Sequence, residues 1–345
     1  MVLDFYGLKQ TPFGVTPDPR FLYLSPAHRE ALASLYYGID AGRGFLALIA
    51  KPGMGKTSLL FQLLDRFRTS ARTAFVFQTQ CTSREFMRFL LMEVDCESNE
   101  RQDLVSMHDQ FNRCLLREAH AGRRVIVVID EAQNLDPSVL ETVRLLSDFE
   151  TPQAKLLQII MAGQPELADK LARSSLRQLR QRISVLSTLE PLPFREVERY
   201  IEYRLRVAGY SGGSMFTPGA RRMISELSEG IPRSINNFCF NALSLGYALQ
   251  KKTIDADMVK EVASDLDLAS LGSQSDAIDA RFLSATSPFQ EGSSIPGLDR
   301  PEKGRPGNKS HPDSPESAGL LTTADAQEYL RKISELLKNR QRSAN

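Results

Sequence analysis

Hydrophobic positions along the chain fall into two rhythms. Short apolar runs, unbroken at Phe45–Ile49 and Val125–Ile129 and interrupted by Gln158 within Lys155–Ala162, have the length and the lack of alternation of strands buried on both faces. Between them, 58–67, 84–93, 104–121 and 137–148 repeat apolar residues every three to four positions, which predicts helices. Two further strands are predicted, Thr73–Gln78 and Ile183–Leu189, and the fourth extends over Lys155–Ala162. Strands alternating with helices predict an α/β fold with a parallel sheet. From Leu192 the pattern turns wholly helical, with segments at 194–208, 217–228, 233–249 and 256–265.

These rhythms divide the chain into an N-terminal arm and helix (1–44) packing on the core, an α/β domain (45–191) and a helical lid (192–268). Pro12, Pro17 and Pro19 keep the arm irregular, and it is expected to drape on the first domain, beside a bound nucleotide's base. Residues 271–323 are rich in Ser, Pro and Gly without periodicity, which predicts a disordered linker. An amphipathic helix follows within 324–340, with Ala326, Leu330, Ile333 and Leu337 on one face, and is expected to dock on a partner.

Composition changes this picture little. The 345 residues are 42% hydrophobic and 25% charged with a net charge of +1, so any nucleic-acid or anionic-membrane binding has to be local. Cys81, Cys96, Cys114 and Cys239 form no C-x-x-C pair and are expected as reduced thiols of a cytosolic protein. The start of the chain lacks a signal-peptide pattern, and no apolar run reaches membrane-spanning length.

The chemistry lies at two strand ends. After Phe45–Ile49 comes Ala50-Lys51-Pro52-Gly53-Met54-Gly55-Lys56-Thr57-Ser58, leading into a helix. Gly53 and Gly55 allow backbone N–H groups to curl around phosphate, Lys56 reaches the β- and γ-phosphates, and the Thr57 hydroxyl can ligate Mg²⁺. Pro52, Met54 and Ser58 complete the nucleotide-binding stretch; Ala50 stands where the strict motif has its first glycine. About 75 residues later Val125–Ile129 ends in Asp130-Glu131, an acid to orient Mg²⁺ and an acid to polarise the attacking water. The cofactors read from these motifs are ATP and Mg²⁺. Gln164, just past the fourth strand, would sit beside the γ-phosphate if that strand lies between the other two. Arg173, Arg177, Arg180 and Arg182 form a basic run that could bind nucleic acid or supply an arginine to a neighbouring subunit's phosphate. Arg233, at a helix start, could reach over the nucleotide. His28 reads as a surface helix residue.

With YGLKQTPFGVTPDPRFLYLSPAHREAL, KPGMGKT, VIVVIDEAQNL, AGQPEL, LRQRI and GIPRSINN on the page, the chain resembles the AAA+ ATPases of the general secretion pathway protein A type, which include pilus-biogenesis and exopolysaccharide-cluster ATPases. The resemblance covers 1–268. It implies a five-stranded parallel sheet, a helical lid, and ATP hydrolysis by a motor or switch serving an envelope export, secretion or polysaccharide system. It assigns Gln164 as first sensor, Arg182 (with Arg180 as second choice) as the trans-acting finger and Arg233 as second sensor. Secretion members carry a transmembrane helix and a peptidoglycan-binding module after the lid; here a linker and one helix follow, so direct cell-wall binding is not expected. The expected partners are copies of the chain at the ATP sites and the envelope machine through the tail helix, with a cytoplasmic location peripheral to the inner membrane. Nucleic acid ranks behind these, in a transposition-helper reading. A nucleotide-sensing scaffold with little turnover is the other alternative.

Overall fold

A computed structural model describes residues 2–14, 18–77, 79–96, 102–150 and 155–266. The linker and tail helix expected at 271–323 and 324–340 lie outside the described residues.

Five strands, β1 (Phe45–Ala50), β2 (Ala71–Val76), β3 (Arg124–Ile129), β4 (Leu157–Gly163) and β5 (Ile183–Leu189), form one parallel sheet in the order β2-β3-β4-β1-β5. β1 and β4 are buried along their whole length, which explains runs without polar alternation. Gln158 is the polar exception in β4, and its Oε1 accepts the Gly44 N–H at 2.8 Å. In register, Ile49 lies beside Gly163, and β4 stands between β3 and β1, so the two catalytic-looking strand ends flank Gln164.

Helices cover both faces. One face packs Phe45, Val127 and Ile159 against α4 (Ser83–Glu93), α5 (Leu104–His120) and α6 (Pro137–Leu146), whose Phe86, Phe111 and Leu140 fill the layer. The other packs Leu46, Val128 and Ile160 against α2 (Pro26–Asp40) and α3 (Lys56–Arg66), through Leu35, Ile39 and Leu59. Local chemistry sets the helix starts. Ser25 caps α2 ahead of Pro26, and Thr82 and Glu85 form a reciprocal capping box on α4. After β4 come α7 (Pro165–Ala172) and α8 (Arg177–Arg182), then β5.

A second core is built from α9 (Phe194–Val207), α10 (Pro218–Leu227), α11 (Pro232–Ala248) and a helix over 256–266, α12. The arm belongs here, contrary to the expectation that it drapes on the α/β domain. α1 (Val2–Tyr6) docks by the Tyr6 hydroxyl, which donates to the Leu243 carbonyl at 2.9 Å, and Phe13 meets Phe216 edge to face. Arg204 donates to the Pro12 carbonyl at 2.6 Å and lies over the Phe21 ring. The physical reason is vacancy. Both sheet faces are already covered by α2 to α6, whereas the core of α9 to α12 takes Tyr6, Leu8, Phe13 and Phe21 of the arm among its buried residues.

The cysteine expectation is also corrected. Cys96, just past α4, and Cys114 of α5 are joined as a disulfide with Cα atoms 6.5 Å apart; Cys81 and Cys239 are free. Packing of α4 on α5 brings together two positions that no short sequence spacing links. Among the described residues, no helix is long and apolar enough to cross a membrane.

Candidate functional site

β1 ends at Ala50, and the chain turns through Lys51–Gly55 into α3. Gly53 and Gly55 have φ of +80° and +86°, the left-handed region that side chains disfavour. Gly53 is held by contact as well: a Cβ there would come 2.7 Å from the Cβ of Arg233, whose N–H bonds the Gly53 carbonyl at 3.2 Å. Ala50 is the buried last residue of β1 and lies outside the left-handed turn, so alanine fits there without strain.

Lys56 is 6% exposed and its Nζ stands 3.4 Å from Glu131 Oε1. The Thr57 hydroxyl donates to Asp130 Oδ2 at 2.6 Å, and Asp130 Oδ1 accepts the Glu131 N–H at 2.9 Å. Burial pushes the Asp130 carboxyl above its ordinary range, opposed by Thr57 and by the Lys56 charge. A hydroxyl and a buried carboxylate converging in this way are a hard, all-oxygen donor pair that suits Mg²⁺, whose charge would offset that burial.

Glu131 has φ +51°, a conformation that costs a non-glycine residue about 1–3 kcal/mol and aims the side chain into the cleft. Its Oε2 accepts Gln133 Nε2 at 2.6 Å and Gln164 Nε2 at 3.0 Å. Burial works to raise the Glu131 carboxyl, but these two amides and Lys56 together bring it below its usual value, which favours the charged carboxylate. Gln164 occupies the cap position of α7.

Lys56, Thr57, Glu131 and Gln164 border a cleft of about 320 Å³ that the Pro52–Gly55 turn shares with the arm and the helical region. Phe21, Leu22 and Tyr23 line it from the arm, and Tyr200, Arg204 and Asn236 from α9 and α11. The far end is a braced polar wall: Tyr23 donates to Glu196 at 2.7 Å, Tyr200 to Asn236 at 2.9 Å, and Arg204 to Tyr200 at 2.9 Å. Arg233 is exposed and borders the cleft. Arg182 does not: its guanidinium donates to Asp148 Oδ1 at 2.6 Å and to the Ser147 hydroxyl. Arg180 donates to the Ala172 carbonyl at 3.2 Å.

His28 corrects the surface expectation. It is 3% exposed in the first turn of α2, with Nε2 3.0 Å from the Met54 carbonyl and Nδ1 2.7 Å from the Ser25 hydroxyl. A carbonyl only accepts, so Nε2 carries the proton and Nδ1 accepts from Ser25 in the neutral ring. The signal was present in the sequence, because His28, Ala31, Leu32, Leu35 and Ile39 form one buried helical stripe. Burial holds this ring below its ordinary 6.5, against the pull of the Met54 carbonyl. A base with a depressed folded-state pKa stabilises the fold above the unfolded value, and that contribution drains away as pH falls below about 6.5. The melting temperature is therefore expected to drop between pH 7.5 and 5.5 more steeply in the native chain than in His28→Gln. Parallel slopes would refute it.

The comparisons agree with this architecture. Residues 39–171 match the family model described as AAA domain. The chain is 40% identical over 248 residues to General secretion pathway protein A of Aeromonas hydrophila, an alignment that covers 72% of this chain and 45% of that protein. Thus the chain spans a little under half of that relative. In solved structures, Cdc6p from Pyrobaculum aerophilum aligns with TM-score 0.56 at 15% identity, over 72% of this chain and 71% of that one. The Aeropyrum pernix ORC2 protein, solved as ADPNP-ADP complexes, aligns with TM-score 0.57 at 16% identity, over 74% and 71%. The two structures share the AAA+ P-loop fold of this chain, residues 39–171 match the AAA domain, and over 248 residues the chain resembles general secretion pathway protein A.

Proposed function

We propose that the chain binds ATP with Mg²⁺ in this cleft and hydrolyses it, as a motor or switch for an envelope export, secretion or polysaccharide assembly system. The observation that carries the reading is the facing of two strand ends, with Thr57 2.6 Å from Asp130 and Lys56 3.4 Å from Glu131. Phosphates would lie in the curl of Gly53 to Thr57, at the N-terminus of α3, where backbone N–H groups and the helix dipole favour anions. Lys56 would exchange Glu131 for the β- and γ-phosphates. Thr57 and Asp130 would hold Mg²⁺, which when bound neutralises charge developing on the phosphate oxygens. Glu131, released from Lys56, would take the proton of the attacking water, with Gln164 beside it. Arg233 would reach the nucleotide from α11 of the same chain, and Arg182 would act on the site of a neighbouring copy.

Lys56→Ala should weaken ATP binding by about ten- to hundredfold, the worth of a charge-assisted hydrogen bond, in a titration with a fluorescent ATP analogue. Unchanged affinity in that variant, or no Mg²⁺-dependent phosphate release by the native chain, would overturn the reading. A second reading draws on the exposure of Arg173, Arg177 and Arg180, a surface that could meet nucleic-acid phosphates. A steep salt dependence of DNA binding would favour it. The resemblance to a secretion protein supports the envelope partner, and the tail segment is the proposed docking element, on the cytoplasmic side of the inner membrane.

A further inference from the structure

Gln133 lies within VIVVIDEAQNL without an assigned role, yet it contacts Glu131, Gln164 and Lys170. It lies in the 3₁₀ turn Ala132–Asn134 directly after Glu131. Its Nε2 donates to Glu131 Oε2 at 2.6 Å, and its Oε1 accepts the Gln164 N–H at 3.2 Å. Its own carbonyl accepts Lys170 Nζ at 2.8 Å, and the same ammonium donates to the Leu135 carbonyl, so α7 grips the turn from outside. β4 makes room for the amide: a Cβ at Gly163 would stand 2.7 Å from Gln133 Oε1.

The orientation of this amide is fixed by chemistry. Turned over, its oxygen would face the Glu131 carboxylate and its NH₂ would face the Gln164 N–H, two repulsive contacts in place of two bonds. Only one orientation satisfies both neighbours. The Glu131 carboxylate is thereby tied through one side chain to the backbone at the end of β4, where Gln164 enters the cleft.

We propose that Gln133 is the positioning residue for Glu131: it holds the carboxylate in the orientation from which it addresses water and couples that orientation to the β4–α7 junction. When Lys56 leaves Glu131 for phosphate and Gln164 turns toward it, the Gln133 amide is the contact that remains. Without it the carboxylate, attached to a backbone already in the left-handed region, rotates freely in the half-open cleft. The proposal rests on the reading of Glu131 as the acid that activates water.

The test is a double-mutant cycle in the full chain, with Gln133→Met as an apolar isostere and Glu131→Ala as partner deletion. In nucleotide-free protein, Gln133→Met should lower the melting temperature by a few degrees, roughly the effect of losing one charge-assisted hydrogen bond, in the native background. In the Glu131→Ala background the same change should cost less than half as much. Turnover supplies the second readout: Gln133→Met and Gln133→Glu should each lower kcat by about ten- to hundredfold, as expected when a general base is present but misdirected, with KM within about twofold. Equal melting shifts in the two backgrounds would overturn the proposal. So would a kcat within about twofold of the native value, or a loss carried by KM. Should the native chain release no phosphate at all, the hydrolytic reading of the site falls, while the melting cycle still decides whether Gln133 holds Glu131.

Discussion

Glu131→Gln is expected to keep ATP binding and to lose turnover by about 10²–10⁴-fold, the usual contribution of a positioned general base. The amide has the shape of the carboxylate, and its oxygen can still accept from Gln133 and Gln164, so the turn after β3 should stay as it is. What changes is basicity and the contact with Lys56. In the structure Lys56 Nζ faces Glu131 Oε1 at 3.4 Å, and incoming phosphates have to separate the pair. Glu131 is 40% exposed but Lys56 only 6%, so the pair is only partly screened by solvent, and its removal should tighten ATP binding rather than weaken it. Nucleotide titration and single-turnover phosphate release on one preparation separate the two effects. Turnover within about tenfold of native would move the role of base to another residue.

The parts of this site readable from sequence are those in which one residue type can do one job at one distance. A buried strand, two glycines, Lys-Thr and a helix are contiguous, so the strand–turn–helix of the candidate site was legible at once, and its pairing with Asp130 and Glu131 led one to expect them beside it, where they lie. Five parallel strands followed from the alternation of strands and helices and from the family resemblance, whereas their order β2-β3-β4-β1-β5 did not, and the limits of β1 to β4 shifted by one or two residues, β1 running on to Ala50 and β4 to Gly163. β2 starts at Ala71 because Arg72 can hand its guanidinium to the Val94 carbonyl at 3.2 Å, and so the strand takes up a charged residue. β5 kept its expected bounds, although Leu186 on this edge strand is 63% exposed.

The remainder depended on contacts between distant segments. Gln133 looked like any turn residue until Gly163 and Gln164 arrived beside it from β4. Arg204 is one of many charges in α9, and the Pro12 carbonyl and the Phe21 ring, with the Tyr200 hydroxyl, explain its burial. The arm's attachment to α9–α11 is a question of which core has room, and local pattern carries no information on that. It has a mechanical consequence: the arm enters α2 at Ser25, and His28 of α2 holds the Met54 carbonyl, so both chain segments flanking the cleft lead back to the phosphate loop.

Arg182→Ala is expected to leave nucleotide affinity intact and to lower kcat by about 10³–10⁵-fold, the range for an arginine supplied in trans to a transferring phosphoryl group. Arg182 sits at the end of α8, outside its own chain's cleft, which is where an arginine acting on a neighbour has to be. Its present partners do not forbid that role. The ion pair with Asp148 is half exposed on the acidic side, a class of pair worth about 0–1 kcal/mol, so a γ-phosphate with more charge can displace it. Asp148→Ala should accordingly keep turnover near native, and Arg180→Ala tests which of the two arginines is used. Mixing gives the decisive measurement. Arg182→Ala and Glu131→Gln proteins should each be inactive alone, yet a mixture forms interfaces where an intact Glu131 of one copy meets an intact Arg182 of the next. Phosphate release should therefore reappear on mixing and rise with total protein concentration. A mixture that stays at background, or a native specific activity that does not change with dilution into the monomer, would leave Arg182 as a surface ion pair and return the search for the completing charge to Arg233 within the same chain.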